Sequence, residues 1–132
     1  MSEANAAVAQ HPILVIEDES AVAGFLRSAL ERHGYAVVVS DSATGGLQLL
    51  SSGEFRGVVS DVCTPGELSG VDVKEWLLLH RPGLASKFVF ITGDTASAET
   101  VSLVAKAQTP CIEKPFRLQQ FLATVEETIG KP

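Results

Sequence analysis

Polar residues follow the short apolar runs of this chain. Glu17 and Asp18 come after Ile13–Ile16, Asp61 after Gly57–Ser60, Thr92 after Lys87–Ile91, and Lys114, with Pro115 behind it, after Cys111–Ile112. If those runs are strands of one sheet, their carboxyl ends gather three carboxylates, a hydroxyl and an ammonium at a single edge. Clustered carboxylates repel one another, and burying like charges without a cation is costly. Mg²⁺ suits such a cluster, because it takes oxygen ligands, keeps several waters, and binds through one or two carboxylates plus phosphate oxygens. Carboxylates also act as phosphoryl acceptors, forming an aspartyl phosphate. Transfer of that group needs mainly positioning and charge neutralisation. A metal on one side, Lys114 on another and the Thr92 hydroxyl on a third would supply both.

Taken singly, each residue has an ordinary structural explanation. Glu17–Glu19 could cap the following helix, Asp61 could be a turn residue, and Thr92-Gly93 and Lys114-Pro115 could be plain loop starters. The conjunction is what separates the two readings, since independent strand ends must each supply a suitable group.

The elements that would hold these residues alternate along the chain. Ile13–Ile16 reads as a strand buried on both faces. Val22, Phe25, Leu26, Ala29 and Leu30 then recur at helical spacing up to Gly34, a left-handed stop. Ala36–Val39 is a second strand, followed by a helix capped by Asp41 or Ser42, with Ala43, Leu47 and Leu50 inward, ending near Gly53. Gly57–Ser60 is a third strand running into Asp61. Val73, Trp76 and Leu77 mark a third helix stopped by Arg81-Pro82-Gly83. Lys87–Ile91 is the fourth strand, Ser97–Ala107 a weakly patterned fourth helix, and Cys111–Ile112 a very short fifth strand. Leu118, Phe121, Leu122, Val125 and Ile129 line the last helix. Strict alternation implies an α/β fold with a parallel sheet and helices on both faces, and such sheets carry their sites outside the carboxyl ends of the strands.

Composition narrows the functions open to the chain. At 132 residues it has room for one domain. A net charge of −6 argues against a nucleic-acid surface, which needs Lys and Arg in excess. No apolar run approaches spanning length, the longest lying around Phe88–Ile91 and Trp76–Leu79, so no membrane insertion is expected. Met1–Gln10 has no basic region before an apolar core and is expected to be a disordered leader or linker remnant, with the folded domain over 11–132. Cys63 and Cys111 lack metal-ligand spacing and read as small hydrophobes in a cytoplasmic protein. His11, His33 and His80 read as surface or helix-end residues without a catalytic role.

With these residues assembled, the chain resembles the receiver domain of two-component response regulators from about Pro12 to Ile129. The resemblance rests on Glu17-Asp18 after Val15-Ile16, Asp61 with Pro65 four places on, Thr92-Gly93, and Lys114-Pro115-Phe116. It implies a flavodoxin-like doubly wound sheet of five parallel strands in the order 2-1-3-4-5, with five helices. It further implies that Asp61 is the phosphoacceptor and that Asp18 and Asp61 bind Mg²⁺ directly, with Glu17 acting mainly through water. The Cys63 backbone carbonyl would be a further ligand. Thr92 would contact a phosphoryl oxygen, Lys114 would pair with Asp61 or the phosphate, and the Lys114–Pro115 peptide would be cis. The implied partner is a histidine kinase or histidine phosphotransfer protein, and the implied role is that of a signalling domain.

Three departures from the family pattern stand out. Cys111 occupies a position that usually holds Tyr or Phe, which puts the usual aromatic read-out in doubt. Thr64 stands where Met is common, and the loop Pro65–Gly70 is one residue longer than usual. Asp94 and Cys63 fall where residues tune hydrolysis of the aspartyl phosphate. The segment Pro110–Phe116 looks more like hybrid-kinase receivers than DNA-binding regulators. Two rival readings remain: a receiver-like interaction module that is never phosphorylated, and a small phosphatase with an Asp nucleophile. The phosphatase would want an acid where Cys63 stands.

Overall fold

The computed structural model of the chain describes residues 10–62, 66–93, 102 and 109–132. The strands are β1 (Ile13–Ile16), β2 (Val37–Ser40), β3 (Gly57–Asp61), β4 (Phe88–Thr92) and β5 (Cys111–Glu113). All pair in parallel, in the order β2-β1-β3-β4-β5. The helices between them are α1 (Ser20–His33), α2 (Ala43–Ser52), α3 (Gly70–His80), the single turn α4 (Pro82–Ala85) and α5 (Leu118–Ile129). This is the flavodoxin-like doubly wound fold expected from the alternation of elements. Apart from residue 102, the expected helix over 97–107 lies outside the described residues, as does the expected leader over 1–10 apart from residue 10.

Strand alternation divides the core in two. Ile13 and Val15 of β1 join Leu26 and Leu30 of α1 and Phe121, Val125 and Ile129 of α5 on one face of the sheet. Leu14 and Ile16 join Leu50 of α2, Val73 and Leu77 of α3, and Phe88 and Phe90 on the other. Successive side chains of a strand point to opposite faces, so a strand covered on both must be apolar throughout. The fully buried sequences Ile-Leu-Val-Ile of β1 and Phe-Val-Phe-Ile-Thr of β4 meet that demand.

The helix ends follow local chemistry. Gly34 closes α1 at φ 112°, a left-handed position that favours glycine. Ser42, of the two candidates, caps α2 by accepting from the Gly45 N–H at 3.0 Å. Ser69 and Asp72 form a reciprocal capping box at α3.

Three expectations shift. Pro82 does stop α3, but it also opens α4, because proline suits the first turn of a helix. Strands β2, β4 and β5 each end one residue later than the apolar runs suggest. Phe25 does not point into the core: it is 48% exposed and its ring lies 6.1 Å from that of Phe116. His33 and His80 are the last residues of α1 and α3, as their reading as helix-end residues anticipates.

Candidate functional site

Glu17 follows β1 directly, and its N–H donates to the Ser40 carbonyl at 3.0 Å, which ties the end of β1 to β2. Its side chain is fully buried. One carboxylate oxygen, Oε1, accepts from the Glu19 N–H at 3.2 Å. The other, Oε2, accepts from Lys114 Nζ at 3.0 Å. Glu19 is the residue before α1, yet its side chain makes no capping bond. The acidic run is therefore not accounted for as a helix cap.

Asp61 ends β3 in register with Ile91 of β4, and its Oδ2 accepts from Lys114 Nζ at 3.1 Å. Lys114 thus bridges the first and third strands. It is positioned by its own N–H, which donates to the Thr92 carbonyl at 2.7 Å, and it precedes the cis bond to Pro115. Thr92 is the last residue of β4 and is buried. Glu17, Asp18 and Asp61 each offer a carboxylate oxygen within 4.8 Å of the others, Asp18 being exposed and Asp61 half-buried.

The charges of the cluster perturb one another. Burial is the main cause that raises the Glu17 carboxyl above its ordinary range; the hydrogen bond from Lys114 works against it. Burial pulls the Lys114 ammonium down, but its hydrogen bonds to Glu17 and Asp61 outweigh this and raise it. The ammonium therefore stays charged. Even at the 4.8 Å upper limit of these separations, two full negative charges repel by about 3.5 kcal/mol at an effective dielectric near 20. One ammonium among three carboxylates leaves a net negative cluster of hard oxygen donors, a set that fits Mg²⁺. Both Glu17 oxygens already accept hydrogen bonds.

The end of β3 is also packed from behind. The buried Ser60 hydroxyl donates to the Asp61 carbonyl at 2.8 Å, and the Gly70 N–H donates to Val62 at 3.0 Å. A Cβ on Gly70 would lie 2.2 Å from that same Asp61 carbonyl oxygen. Gly70→Ala is expected to push α3 off β3 and lower stability by about 1–3 kcal/mol, as urea unfolding would report. An unchanged midpoint would mean that the start of α3 moves without cost.

The strand ends thus bring Glu17, Asp18, Asp61, Thr92 and Lys114 to one edge of the sheet. Cys63, Thr64, Pro65 and Asp94 lie outside the described residues. Sequence reading missed the Lys114–Glu17 contact, Ser60 and Gly70; only Gly70, a glycine directly after a good capping residue, left a visible signal. Cys111 opens β5 as a free, half-buried thiol packed against the Leu14–Phe90 side of the core. Burial first, then the charges of Asp61 and Glu113, push that thiol up, away from reactivity.

The family model of the response regulator receiver domain matches residues 13–126. The chain belongs to that family. The receiver is 35% identical over 121 residues to the sensor kinase CckA of Brucella abortus, a match covering 90% of this chain and 12% of the kinase. It is 29% identical over 117 residues to the response regulator receiver protein CpdR of the same species, covering 89% of this chain and 95% of that one. A CheY-like receiver domain from Methanospirillum hungatei has the same fold, with a TM-score of 0.79 at 27% identity, over 90% of this chain and 93% of that chain. The receiver therefore spans a small part of one of these relatives and nearly all of another. Among the described residues, no helix is long and apolar enough to cross a membrane.

Proposed function

We propose that this receiver, over residues 11–132, accepts a phosphoryl group on Asp61 from a phosphohistidine of a histidine kinase or histidine phosphotransfer protein, as part of a cytoplasmic phosphorelay. The observation that carries the reading is the convergence of Glu17, Asp18 and Asp61 around Lys114 at the carboxyl edge of the sheet. The likeness to a sensor kinase supports the relay setting.

In this reading an Asp61 carboxylate oxygen attacks the phosphorus, the N–P bond breaks, and its electron pair returns to the imidazole. Asp18, Asp61 and the Cys63 carbonyl would hold Mg²⁺, with Glu17 acting through water, and the bound ion would supply charge neutralisation for the transferred group. Lys114, kept charged by Glu17, meets a second phosphoryl oxygen as its bond to Asp61 is given up. The Thr92 hydroxyl takes a third. An apolar cleft of about 510 Å³ beside Lys114, walled by Phe25, Pro115 and Phe116, gives the donor protein a seat next to the acceptor.

The test is intact mass after incubation with acetyl phosphate. One added phosphoryl group is expected with Mg²⁺ and none with EDTA. If neither acetyl phosphate nor a phosphorylated kinase modifies a chain that still binds Mg²⁺, the receiver works as an unphosphorylated interaction module.

A further inference from the structure

The pole of the molecule opposite the acidic cluster has the opposite charge. His11 lies just before β1, Arg56 just before β3 and Lys87 just before β4, so three neighbouring strands each begin behind a basic side chain. His80 and Arg81 join them from the end of α3. These five residues line a cleft of about 440 Å³. Arg81 and Lys87 therefore bring two cationic side chains of a chain with net charge −6 to one cavity, against a single acid, Glu54, while the Arg56 guanidinium turns to the Lys131 carbonyl and the Tyr35 ring.

The cleft is organised as well as charged. Nη1 of Arg81 donates to the Leu50 and Gly53 carbonyls at 3.1 and 2.9 Å, which fixes the guanidinium in place. Its Nη2 pairs at 2.9 Å with Glu54, whose side chain is 68% exposed. Lys87 is exposed and has no ion-pair partner among the described residues. Phe55 and Leu84, both buried, supply an apolar wall.

We propose that this cleft binds a phosphorylated small molecule, with its phosphoryl oxygens on Lys87 and Arg81 and its apolar part against Phe55 and Leu84. A fixed guanidinium fork and a compact ammonium are a good pair for phosphate oxygens. The volume falls within the range of about 300–1,000 Å³ typical of small-molecule sites. An extended polyanion such as nucleic acid or a long acidic segment would have to cross the acidic remainder of the surface, whereas a small anion meets only the basic pole.

ADP, with EDTA present to keep metal from the acidic cluster, is the probe, titrated into the ¹⁵N-labelled chain. Saturable amide shifts are expected at His11, Arg81 and Lys87. Lys87→Glu should weaken binding by about tenfold, and Glu54→Gln, which releases Arg81, should strengthen it by about threefold. A gain of affinity cannot arise from misfolding, so this second variant guards the first. ADP is expected to bind more tightly than pyrophosphate because it can use the apolar wall. The proposal is overturned if ADP fails to saturate up to about 10 mM, where even a millimolar site would be mostly filled. It also fails if the shifts centre on Asp61, if Lys87→Glu changes nothing, or if pyrophosphate binds as well as ADP. A hexaglutamate peptide binding more tightly than ADP would make the cleft a protein contact instead.

Discussion

Asp61→Asn is expected to take up no phosphoryl group from acetyl phosphate or from a phosphorylated kinase, while melting no earlier than the unaltered chain in EDTA. The two halves of this result have different causes. An amide oxygen carries no full charge, so it neither attacks phosphorus nor serves as an anionic ligand, and Mg²⁺ affinity should fall by at least about tenfold with one of the two carboxylates proposed as direct ligands gone. Stability follows another balance. Asp61 gives up its 3.1 Å bond to Lys114, but Lys114 keeps the bond to the fully buried Glu17. The repulsion of Asp61 against two carboxylates within 4.8 Å, about 3.5 kcal/mol for each full-charge pair, disappears at the same time. Intact mass reads the first half, and thermal unfolding with and without Mg²⁺ reads the second. Retained phosphorylation would move the acceptor to another residue. A lower metal-free midpoint would mean that the Lys114–Asp61 attraction outweighs the repulsion.

Much of the frame behind this expectation is legible in the sequence, because the features that carry it are local. A strand covered on both faces must be apolar, so Ile13–Ile16 and Phe88–Ile91 announce themselves, and the first polar residue after each marks the carboxyl edge of the sheet. What escapes is set by tertiary geometry. Glu17 and Lys114 are 97 positions apart, and nothing near either names its partner. Phe25 fits the helical spacing of the core, yet it turns out toward Phe116 because the sheet is already covered by Leu26 and Leu30. Lys74 sits one position from the buried Val73 and is itself buried. Its ammonium donates to the Ala85 carbonyl at the end of α4, a turn that sequence reading leaves out, and lies 5.5 Å from the Phe88 ring. Burial lowers its pKa, so charging it opposes folding. The basic cleft is scattered in sequence for the same reason: its residues start or end different elements, and only the folded sheet assembles them.

The second large effect concerns Lys114. In EDTA at about pH 8, Lys114→Met should unfold about 2–3 kcal/mol more easily than the unaltered chain. Breaking a buried pair by removing one partner commonly costs about 3–5 kcal/mol, and the lower figure allows for the 18% exposure of the Lys114 side chain. The pH dependence has a definite sign. The folded Glu17 carboxyl lies above its unfolded value of 4.5, chiefly through burial, so the cost of charging it is absent below that value and appears as pH rises through the folded one. Lys114 lies above its ordinary 10.5 because its bonds to the two carboxylates outweigh burial. Its stabilisation is therefore complete at about pH 8 and is lost only in strong base. Without the ammonium, Glu17 shifts further upward, and the deficit of the Met variant should shrink as pH is lowered toward the carboxylate range. Adding Glu17→Gln should recover most of the loss at about pH 8, because no buried charge is then left without a counter-ion. Urea unfolding of the single and double variants at two pH values measures each step. A Met variant as stable as the unaltered chain at the higher pH would show that Glu17 draws its compensation from elsewhere, and Lys114 would then be held at the acceptor for phosphoryl chemistry alone.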